Sequence, residues 1–363
     1  MWIVCPIAGV GKRLQPFTYS KPRTFIKIAG RKIIDHILIK LKKTFPKGTT
    51  ICFIVGYKKR QTMNYLKKYY SDYFHLEFRE QVPLGYEADT PYFSGLGDAI
   101  LLAKDLVNDD DCFILLSDML PMEEYSSILL KFHQADSDGV INVKKVKNPE
   151  FYGITLLDDT KLYITQIIEK PKEFVSDYGV CGAYILSKSV MPHLIELLEE
   201  QSKLELNNGE EHGFTPILDQ LIKEGKKISI NEMKEEILDF GRPEGLLEGN
   251  QYLLSEMKSQ APRIEELIQS ENIIDSKIVQ PVYIGEDVKI TNSVVGPNVS
   301  IGDEVHLHKC LISESVIGDG AHLNKIITSR SLIGDYSVLE DLIKDEITIG
   351  DSSYIATSDM RTF

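Results

Sequence analysis

The chain has 363 residues, of which 43% are hydrophobic and 26% charged, and its formal net charge is −13. This composition is ordinary for a globular protein, and the length is comfortable for two domains. The acidic balance argues against wrapping nucleic acid. No apolar stretch approaches the ~20 residues needed to span a bilayer, and a signal-peptide layout is missing, so we expect a cytoplasmic protein without a membrane partner.

The first part of the chain alternates strand-like and helix-like segments. Apolar runs predict strands at 2–5, 50–55, 74–79 and 112–116, and helical spacing predicts helices at 33–41, 58–70 and 98–106. Short apolar strands separated by helices imply a parallel sheet covered on both faces. In such sheets ligands gather at the carboxyl ends of the strands.

The five cysteines are dispersed, odd in number and without C-x-x-C spacing. Each lies in an apolar or strand-like run, which favours buried free thiols in a reducing compartment over disulfides or a zinc site. They are Cys5, Cys52, Cys112, Cys181 and Cys310.

A glycine-bearing turn at residues 8–11 follows the opening strand and precedes a run of cationic side chains. The first 34 residues carry seven Lys or Arg and no Asp or Glu. Glycine lets the backbone approach phosphate, successive N–H groups bind anions, and Arg forks bind phosphate through two hydrogen bonds. The pattern favours a polyphosphate site, with a solvated basic surface as the alternative.

Residues 6–28 read PIAGVGKRLQPFTYSKPRTFIKI and resemble the sugar-1-phosphate nucleotidyltransferase signature P-x-A-G-x-G-T-R-x-x-P-x-T-x-x-x-P-K. Lys12 stands where the family usually has Thr, and Arg23 where it usually has Lys, and these two cations are not interchangeable at a phosphate. The resemblance implies catalytic roles for Arg13 and Arg23. It also implies nucleotide binding by Ala8, Gly9, Gly11 and Lys12.

Two later motifs resemble the metal-binding segments of that family. Residues 113–118 read FILLSD, with Ser117 where the family has Gly, and residues 237–243 read ILDFGRP. The resemblance implies that Asp118 and Asp239 are catalytic and bind Mg²⁺, a hard cation that carboxylate and phosphate oxygens suit. Taken alone, Asp118 would be read as an ordinary strand-end turn residue.

Three further segments resemble the sugar-binding part of the family. The Glu169-Lys170-Pro171 sequence implies that Lys170 is catalytic and meets the sugar phosphate, while Glu169 meets a sugar hydroxyl. Gly179 stands where the family often has Asn, which puts one sugar contact in doubt. The other implied sugar-binding residues are Tyr152, Gly153, Gly182 and Tyr184.

Base recognition is assigned to Gln81, with Glu80 as a competitor. The turn at residues 95–99, GLGDA, resembles a second nucleotide-binding segment and implies a role for Gly97. A Gln amide matches uracil or thymine, whereas a Glu would accept from guanine. The insertion at residues 82–94 is either a lid or a surface loop, and the loop is the safer interpretation.

After residue 272 the pattern changes to five Ile-Gly-Asp or Ile-Gly-Glu sequences spaced 17, 16, 16 and 16 residues apart. This repeat indicates a β-solenoid and resembles the left-handed β-helix of many sugar nucleotidyltransferases. We expect the β-helix to make the protein a homo-oligomer. An acyltransferase site using His306, His308 or His322 is the functional alternative.

The expected fold is therefore α/β: a Rossmann-like nucleotidyltransferase domain with a mixed, mostly parallel sheet at 1–255, a helical linker at 256–272, and a left-handed β-helix at 273–363. The resemblance implies transfer of a nucleotidyl group from UTP or dTTP to a hexose 1-phosphate, with glucose 1-phosphate favoured and pyrophosphate released. One alternative is the same reaction with mannose 1-phosphate and GTP. The other is a catalytically silent regulatory or scaffold subunit on the same fold.

Overall fold

The computed structural model describes residues 1–207, 210–257, 265–267 and 270–357. They form two compact units. The first comprises Met1–Val10 with Ile37–Ile237, and the second comprises Gly11–His36 with the chain from Leu238 onward. The domain boundaries at residues 255 and 272 remain predictions, and most of the 256–272 linker lies outside the described residues.

Helices and strands are interspersed along the first 257 residues, but the predicted alternation is only partial, since four strands between residues 139 and 186 follow one another without an α-helix. The predicted helix at 98–106 is divided into two short helices. The helices are α1 (Ile33–Thr44), α2 (Lys59–Tyr70), α3 (Leu96–Leu101), α4 (Lys104–Val107), α5 (Ser126–Gln134), α6 (Met191–Ser202), α7 (Thr215–Lys223) and α8 (Pro243–Glu256). The strands are β1 (Trp2–Pro6), β2 (Lys27–Ile28), β3 (Arg31–Lys32), β4 (Thr50–Val55), β5 (His75–Glu80), β6 (Gly85–Glu87), β7 (Thr90–Tyr92), β8 (Cys112–Leu115), β9 (Met119–Pro121), β10 (Gly139–Lys145), β11 (Gly153–Leu157), β12 (Ile164–Glu169), β13 (Tyr178–Leu186), β14 (Ile228–Glu232) and β15 (Ile237–Asp239).

The first unit is built on one mixed sheet with the order β12-β11-β13-β8-β1-β4-β5, to which β10 and β14 add beside β13. Strands β8, β1, β4 and β5 run parallel, which confirms the predicted parallel part of the sheet. Strand β13 runs antiparallel to β8. The carboxyl ends of the parallel strands therefore share one edge with the beginning of β13.

The central strands are buried because their side chains are apolar on both faces. Residues 51–55 of β4 and the whole of β8 are buried, as parallel strands covered on both sides must be. Helices α3, α6 and α7 pack their apolar faces into the same core as these strands. This rigid core fixes the strand ends that carry the predicted site residues.

The five thiols are free and buried, as the sequence predicted. Burial raises the pKa of the Cys52 thiol to about 12 and also raises the pKa values of the other four thiols, because a thiolate is poorly solvated in an apolar interior. Such cysteines act as small core residues rather than nucleophiles.

The second unit is a stack of parallel coils that confirms the predicted β-helix. Its strands are β16 (Ile273–Ile274), β17 (Lys277–Ile278), β18 (Val282–Ile284), β19 (Lys289–Thr291), β20 (Val294–Val295), β21 (Val299–Ile301), β22 (His306–His308), β23 (Leu311–Ser313), β24 (Val316–Ile317), β25 (His322–Ser329), β26 (Leu332–Ile333), β27 (Val338–Ile343), β28 (Thr348–Ile349) and β29 (Tyr354–Ala356). The isoleucines of the Ile-Gly-Asp repeats are register partners from coil to coil: Ile284, Ile301, Ile317, Ile333 and Ile349.

Glycine is required where successive coils turn the same corner. A Cβ on Gly302 would lie 2.4 Å from Asp319 Oδ1 and 2.7 Å from the Asp319 backbone nitrogen. Since the backbone of the next coil cannot move away, a side chain at this position would force the coils apart. The repeat therefore reflects a steric limit at one corner of the β-helix.

The second unit also contains residues 11–36, which we call the basic segment. Helix α8 and the β-helix hold it through Asn250, a buried residue of α8. Its Oδ1 accepts hydrogen bonds from the Ala29 backbone at 3.0 Å and from Ser300 Oγ at 2.5 Å, and its Nδ2 donates to the Asn298 carbonyl at 3.2 Å. Gly30 lies against the ring of Tyr283, where a Cβ would come within 2.2 Å of the ring.

Within the described residues, none of the helices combines the length and the apolar character that crossing a membrane requires.

Candidate active site

The glycine turn and Asp118 lie at the shared carboxyl edge of β1 and β8, as predicted. The chain continues beyond β1 beside β4, since the Tyr57 backbone N–H donates to the Ala8 carbonyl at 2.9 Å. Ser117 is buried, and its hydroxyl donates to the Pro6 carbonyl at 3.1 Å. The Ser at this family Gly position therefore ties the end of β8 to the end of β1 and fixes the backbone that carries Asp118.

The second unit carries the cationic part of the turn. Gly11 adopts a left-handed conformation (φ 71°) that begins a short 3-10 turn over Lys12–Leu14, and Lys12 and Arg13 are exposed. The Thr18 hydroxyl donates to the Gly11 carbonyl at 3.1 Å. A Cβ on Gly11 would lie 3.1 Å from Arg23 Cβ, so Arg23 packs directly against this turn.

Four of the predicted sugar-site residues lie together in the first unit. Gly153 and Glu169 are register partners in β11 and β12, and the Lys170 backbone N–H donates to the Tyr152 carbonyl at 2.9 Å. Lys170 Nζ pairs with Glu169 Oε1 at 2.8 Å, and both side chains are about half exposed. A cation and a carboxylate thus stand side by side on an accessible loop.

Asp118 belongs to the same neighbourhood as this loop. Burial raises the pKa of the Tyr184 hydroxyl, and the nearby carboxylates of Glu169 and Asp118 raise it further. A tyrosine is a neutral phenol at neutral pH, and the raised pKa keeps Tyr184 in this hydrogen-bond-donating form at higher pH as well.

Gly182 joins β13 to the loop that carries Asp118. It has a φ of 65°, and its carbonyl accepts a hydrogen bond from the Leu116 backbone at 2.7 Å. A Cβ there would lie 3.1 Å from Met119 Sδ, so glycine permits both the backbone conformation and the close approach.

Gly179 departs from the family pattern for a steric reason. A Cβ at this position would lie 2.9 Å from Val146 Cγ1 and 3.0 Å from Val146 Cγ2. The stiff, branched Val side chain cannot easily move, so the Asn that is common in the family would not fit here.

The predicted base contact, Gln81, is buried and already forms hydrogen bonds. Its amide nitrogen donates to the Gly95 carbonyl at 2.9 Å and reaches Ser94 Oγ at 3.4 Å. Its competitor, Glu80, is exposed and paired with Lys59. Gln81 therefore braces the 95–97 turn, and its amide oxygen is its remaining hydrogen-bonding group.

The sequence did not predict the part that residues 210–213 play behind this turn. The Gly97 backbone N–H donates to the His212 carbonyl at 2.8 Å, and the His212 ring pairs with Asp98 Oδ2 at 2.8 Å. A Cβ on Gly97 would lie 2.5 Å from Gln201 Oε1. The sequence signal that could have identified this segment is His212 next to Gly213, shortly before helix α7, which begins with Thr-Pro.

The 82–94 insertion folds as a β-hairpin of β6 and β7. Its two loop residues, Ala88 and Asp89, have φ values of 45° and 64°, as a tight hairpin turn requires. Tyr86 is 69% exposed and Leu84 56% exposed. The first strand of the hairpin begins at Gly85, four residues after Gln81.

The predicted metal ligands belong to different units, Asp118 to the first and Asp239 to the second. Asp239 Oδ1 accepts the Gly241 backbone N–H at 2.8 Å. Within the described residues, no group of three or more His, Cys, Asp or Glu side chains is placed to hold a metal ion. Carboxylate oxygens are ligands that Mg²⁺ prefers, so the side chains of Asp118 and Asp239 each have donor chemistry that fits this ion.

The three β-helix histidines lie on one outer sheet. The rings of His306 and His322 have centroids 4.5 Å apart, and His308 Nδ1 lies 2.7 Å from Thr291 Oγ1. Burial and the nearby charges of His322 and Lys289 lower the pKa of His306.

A family model described as nucleotidyl transferase matches residues 7–256. The chain belongs to this nucleotidyl transferase family. The match covers every residue assigned to the site from the turn at residue 8 to Asp239.

Two relatives and one solved structure illustrate the likeness. The bifunctional protein GlmU of Methanocaldococcus jannaschii is 31% identical over 286 residues, which are 75% of this chain and 59% of that protein. The mannose-1-phosphate guanyltransferase 2 of Candida glabrata is 27% identical over 278 residues, 76% of this chain and 70% of that protein. This chain thus spans less than two thirds of the GlmU protein.

The UDP-glucose pyrophosphorylase from Acinetobacter baumanii superposes with a TM-score of 0.57, covering 74% of this chain and 98% of that one. At 21% identity, this likeness shows that the fold is shared.

The contact at Gly179 is testable by stability. We expect Gly179→Ala to lower the midpoint of thermal unfolding, because overpacking a fixed contact costs about 1–3 kcal/mol. Adding the half-buried Val146→Ala should recover most of that loss, measured by differential scanning calorimetry. A Gly179→Ala protein that unfolds at the wild-type temperature would contradict the contact.

Proposed function

We propose that this chain transfers a nucleotidyl group from a nucleoside triphosphate to a hexose 1-phosphate, with UTP or dTTP and glucose 1-phosphate as the favoured pair. The observation that carries the proposal is the group formed by Asp118, Glu169 and Lys170 at the ends of strands, together with Tyr184 in the buried strand β13, in a nucleotidyl transferase fold. This group combines anions, a cation and a neutral donor, which suits a phosphorylated sugar.

In the proposed reaction, a phosphate oxygen of the hexose 1-phosphate attacks the α-phosphorus of the triphosphate. The bond between the α-phosphorus and the bridging oxygen to the β-phosphate breaks, and pyrophosphate leaves. No covalent intermediate with the protein is needed, so catalysis rests on positioning and on neutralising charge. Arg13 and the backbone of residues 9–13 hold the leaving pyrophosphate, and Arg23 meets the α-phosphate.

Lys170 changes partner during substrate binding. Without substrate, its charge is balanced by Glu169 at 2.8 Å. The sugar phosphate competes for Lys170 and releases Glu169, which then accepts a hydrogen bond from a sugar hydroxyl. The Tyr184 phenol stays neutral and can donate to the sugar.

Asp118 and Asp239 are the proposed ligands of Mg²⁺, together with phosphate oxygens and water. When bound, the cation neutralises negative charge that develops on the phosphate oxygens.

Transfer from GTP to mannose 1-phosphate is the second candidate. The Gln81 amide nitrogen already donates a hydrogen bond to the Gly95 carbonyl. The amide oxygen is therefore the group that would accept a hydrogen bond from a base. An acceptor matches the N3–H of uracil or thymine, but it also matches the N1–H of guanine. The named activity of the Candida glabrata relative supports keeping this candidate.

We also propose homo-oligomerisation through the β-helix. Leu311, Ile327 and Ile343 are register partners on its outer surface and are 48%, 42% and 76% exposed. A stripe of exposed apolar side chains along a regular sheet suits a second copy of the same chain. Multi-angle light scattering that gives a monomer mass for the full chain would contradict assembly.

Nucleotide choice is tested by a pyrophosphate-release screen of UTP, dTTP, GTP and ATP against several hexose 1-phosphates with Mg²⁺. We expect the highest kcat/KM with UTP or dTTP. Turnover with GTP alone would move the assignment to the guanylyl candidate, and no turnover with any pair would favour a silent subunit.

The proposed metal ligands are tested by Asp118→Asn and Asp239→Asn. We expect each to lower kcat by about 100-fold or more, because the lost charge acts on the transition state. Asp136→Asn is the matched control, since this carboxylate is 95% exposed on the surface of the first unit, and its kcat should stay within about twofold of wild type. Near-normal kcat in both site variants would refute the assignment.

A further inference from the structure

The aspartates of the Ile-Gly-Asp repeats form a column at one corner of the β-helix, which we call the acidic ladder: Asp303, Asp319, Asp335 and Asp351. The Oδ1 of each accepts a backbone N–H from the preceding coil, at 2.9, 3.0, 3.1 and 2.8 Å in that order. One oxygen of each carboxylate therefore holds the coils together.

A column of four carboxylates needs counter-charge. Neighbouring parallel strands stand only about 4.8 Å apart, so adjacent carboxylates repel one another. The ladder is also partly shielded from water, with side-chain exposures of 26% for Asp335 and 13% for Asp351. Burial accordingly raises the pKa of Asp335, against the opposing charge of Lys21.

Two lysines of the basic segment supply this charge, and each of them pairs with two aspartates of the acidic ladder. Lys27 Nζ lies 3.0 Å from Asp303 Oδ2 and 2.8 Å from Asp319 Oδ2. Lys21 Nζ pairs with Asp335 Oδ2 and lies 3.1 Å from Asp351 Oδ1. The Ser20 hydroxyl also donates to Asp351.

The electrostatics of Lys27 agree with this arrangement. Burial alone would lower its pKa, but hydrogen bonds to Asp319 and Asp303 outweigh burial and raise the pKa above the ordinary lysine value. Lys27 therefore stays charged at neutral pH.

The lysines are connected to the proposed phosphate-binding residues by a short run of chain. Lys21 precedes Arg23 by two residues, with Pro22 between them and a 3-10 turn beginning at Arg23. Arg23 packs against Gly11, where the turn that bears Arg13 begins. Pro16, inside the same loop, lies 3.0 Å from the position of a Cβ on Gly350.

We propose that the acidic ladder, acting through Lys21 and Lys27, positions the basic segment so that Arg13 and Arg23 can hold the triphosphate. The ladder aspartates and the two lysines are thus positioning residues for the reaction. The β-helix contributes to nucleotide binding through the basic segment. This inference rests on the proposed function, since it assigns the basic segment to the triphosphate.

Two sets of variants of the full chain test this. Lys21→Met and Lys27→Met remove the cations. Asp335→Asn with Asp351→Asn removes the charges that face Lys21 but keeps an Oδ1 acceptor for each ladder hydrogen bond, so the coils stay closed. We expect each set to lower kcat/KM for the triphosphate by about tenfold or more, since a small misplacement of binding groups is costly in rate. KM for the hexose 1-phosphate should stay within about twofold, because its proposed residues lie in the first unit.

Two comparisons separate positioning from general stability. Lys21→Arg should restore most of the lost kcat/KM, and combining Lys21→Met with both Asn substitutions should cost no more than either alone, since they disrupt one interaction. Lys325→Met is the matched control, because Lys325 pairs with Asp341 at 2.8 Å elsewhere on the β-helix, and its kcat/KM should stay within about twofold of wild type. An equal loss in Lys325→Met would overturn the proposal.

Equilibrium binding of Mg-UTP and Mg-GTP, measured by calorimetry, separates this inference from the proposed function. If wild type binds a triphosphate but releases no pyrophosphate with any sugar phosphate, the proposed function fails. The positioning role is then upheld by a Kd about tenfold weaker in Lys21→Met and overturned by an unchanged Kd. If wild type binds neither triphosphate, both are wrong.

Discussion

The charge balance at the corner of the β-helix is the constraint on which the second unit depends. At each Gly-Asp corner the aspartate Oδ1 accepts a backbone N–H from the preceding coil. The carboxylates of the acidic ladder are thereby brought close together and repel one another. Lys21 and Lys27 each lie between two of these carboxylates and offset part of that repulsion. The same contacts hold the basic segment, so the Gly-Asp repeat that closes the β-helix also contacts the loop that carries the proposed phosphate-binding residues.

In the first unit, the ends of sheet strands position the proposed site residues. Parallel strands β1 and β8 end at one edge, and Ser117 ties these ends together through the Pro6 carbonyl. The antiparallel strand β13 brings Gly182 beside the same loop. Asp118 and Lys170 directly follow strands and Glu169 ends β12, so all three are supported by a buried sheet. This placement suits residues that are proposed to keep a fixed geometry while remaining accessible.

Local sequence features predicted much of this architecture, while long-range pairings were out of reach. The Ile-Gly-Asp spacing predicted the coil register because each coil requires glycine at the same closely packed corner. Apolar runs predicted the buried strands because both faces of these strands are covered. Lys21 and Lys27 meet partners about 300 positions away, and nothing in their local pattern distinguishes them from Lys12. The motifs predict Gln81 and Gly97 as nucleotide contacts, but the hydrogen bonds of these residues to Gly95 and His212 depend on how separate segments of the chain pack.

Amide hydrogen exchange of the basic segment tests most directly the claim that the acidic ladder holds it in place. Peptides from residues 11–28 should exchange at least about tenfold faster in the Asp335→Asn, Asp351→Asn protein than in wild type. Local opening becomes easier when Lys21 loses its two carboxylate partners. Peptides from β1 and β8 should exchange at the wild-type rate. Unchanged protection of residues 11–28 in this variant would contradict the account.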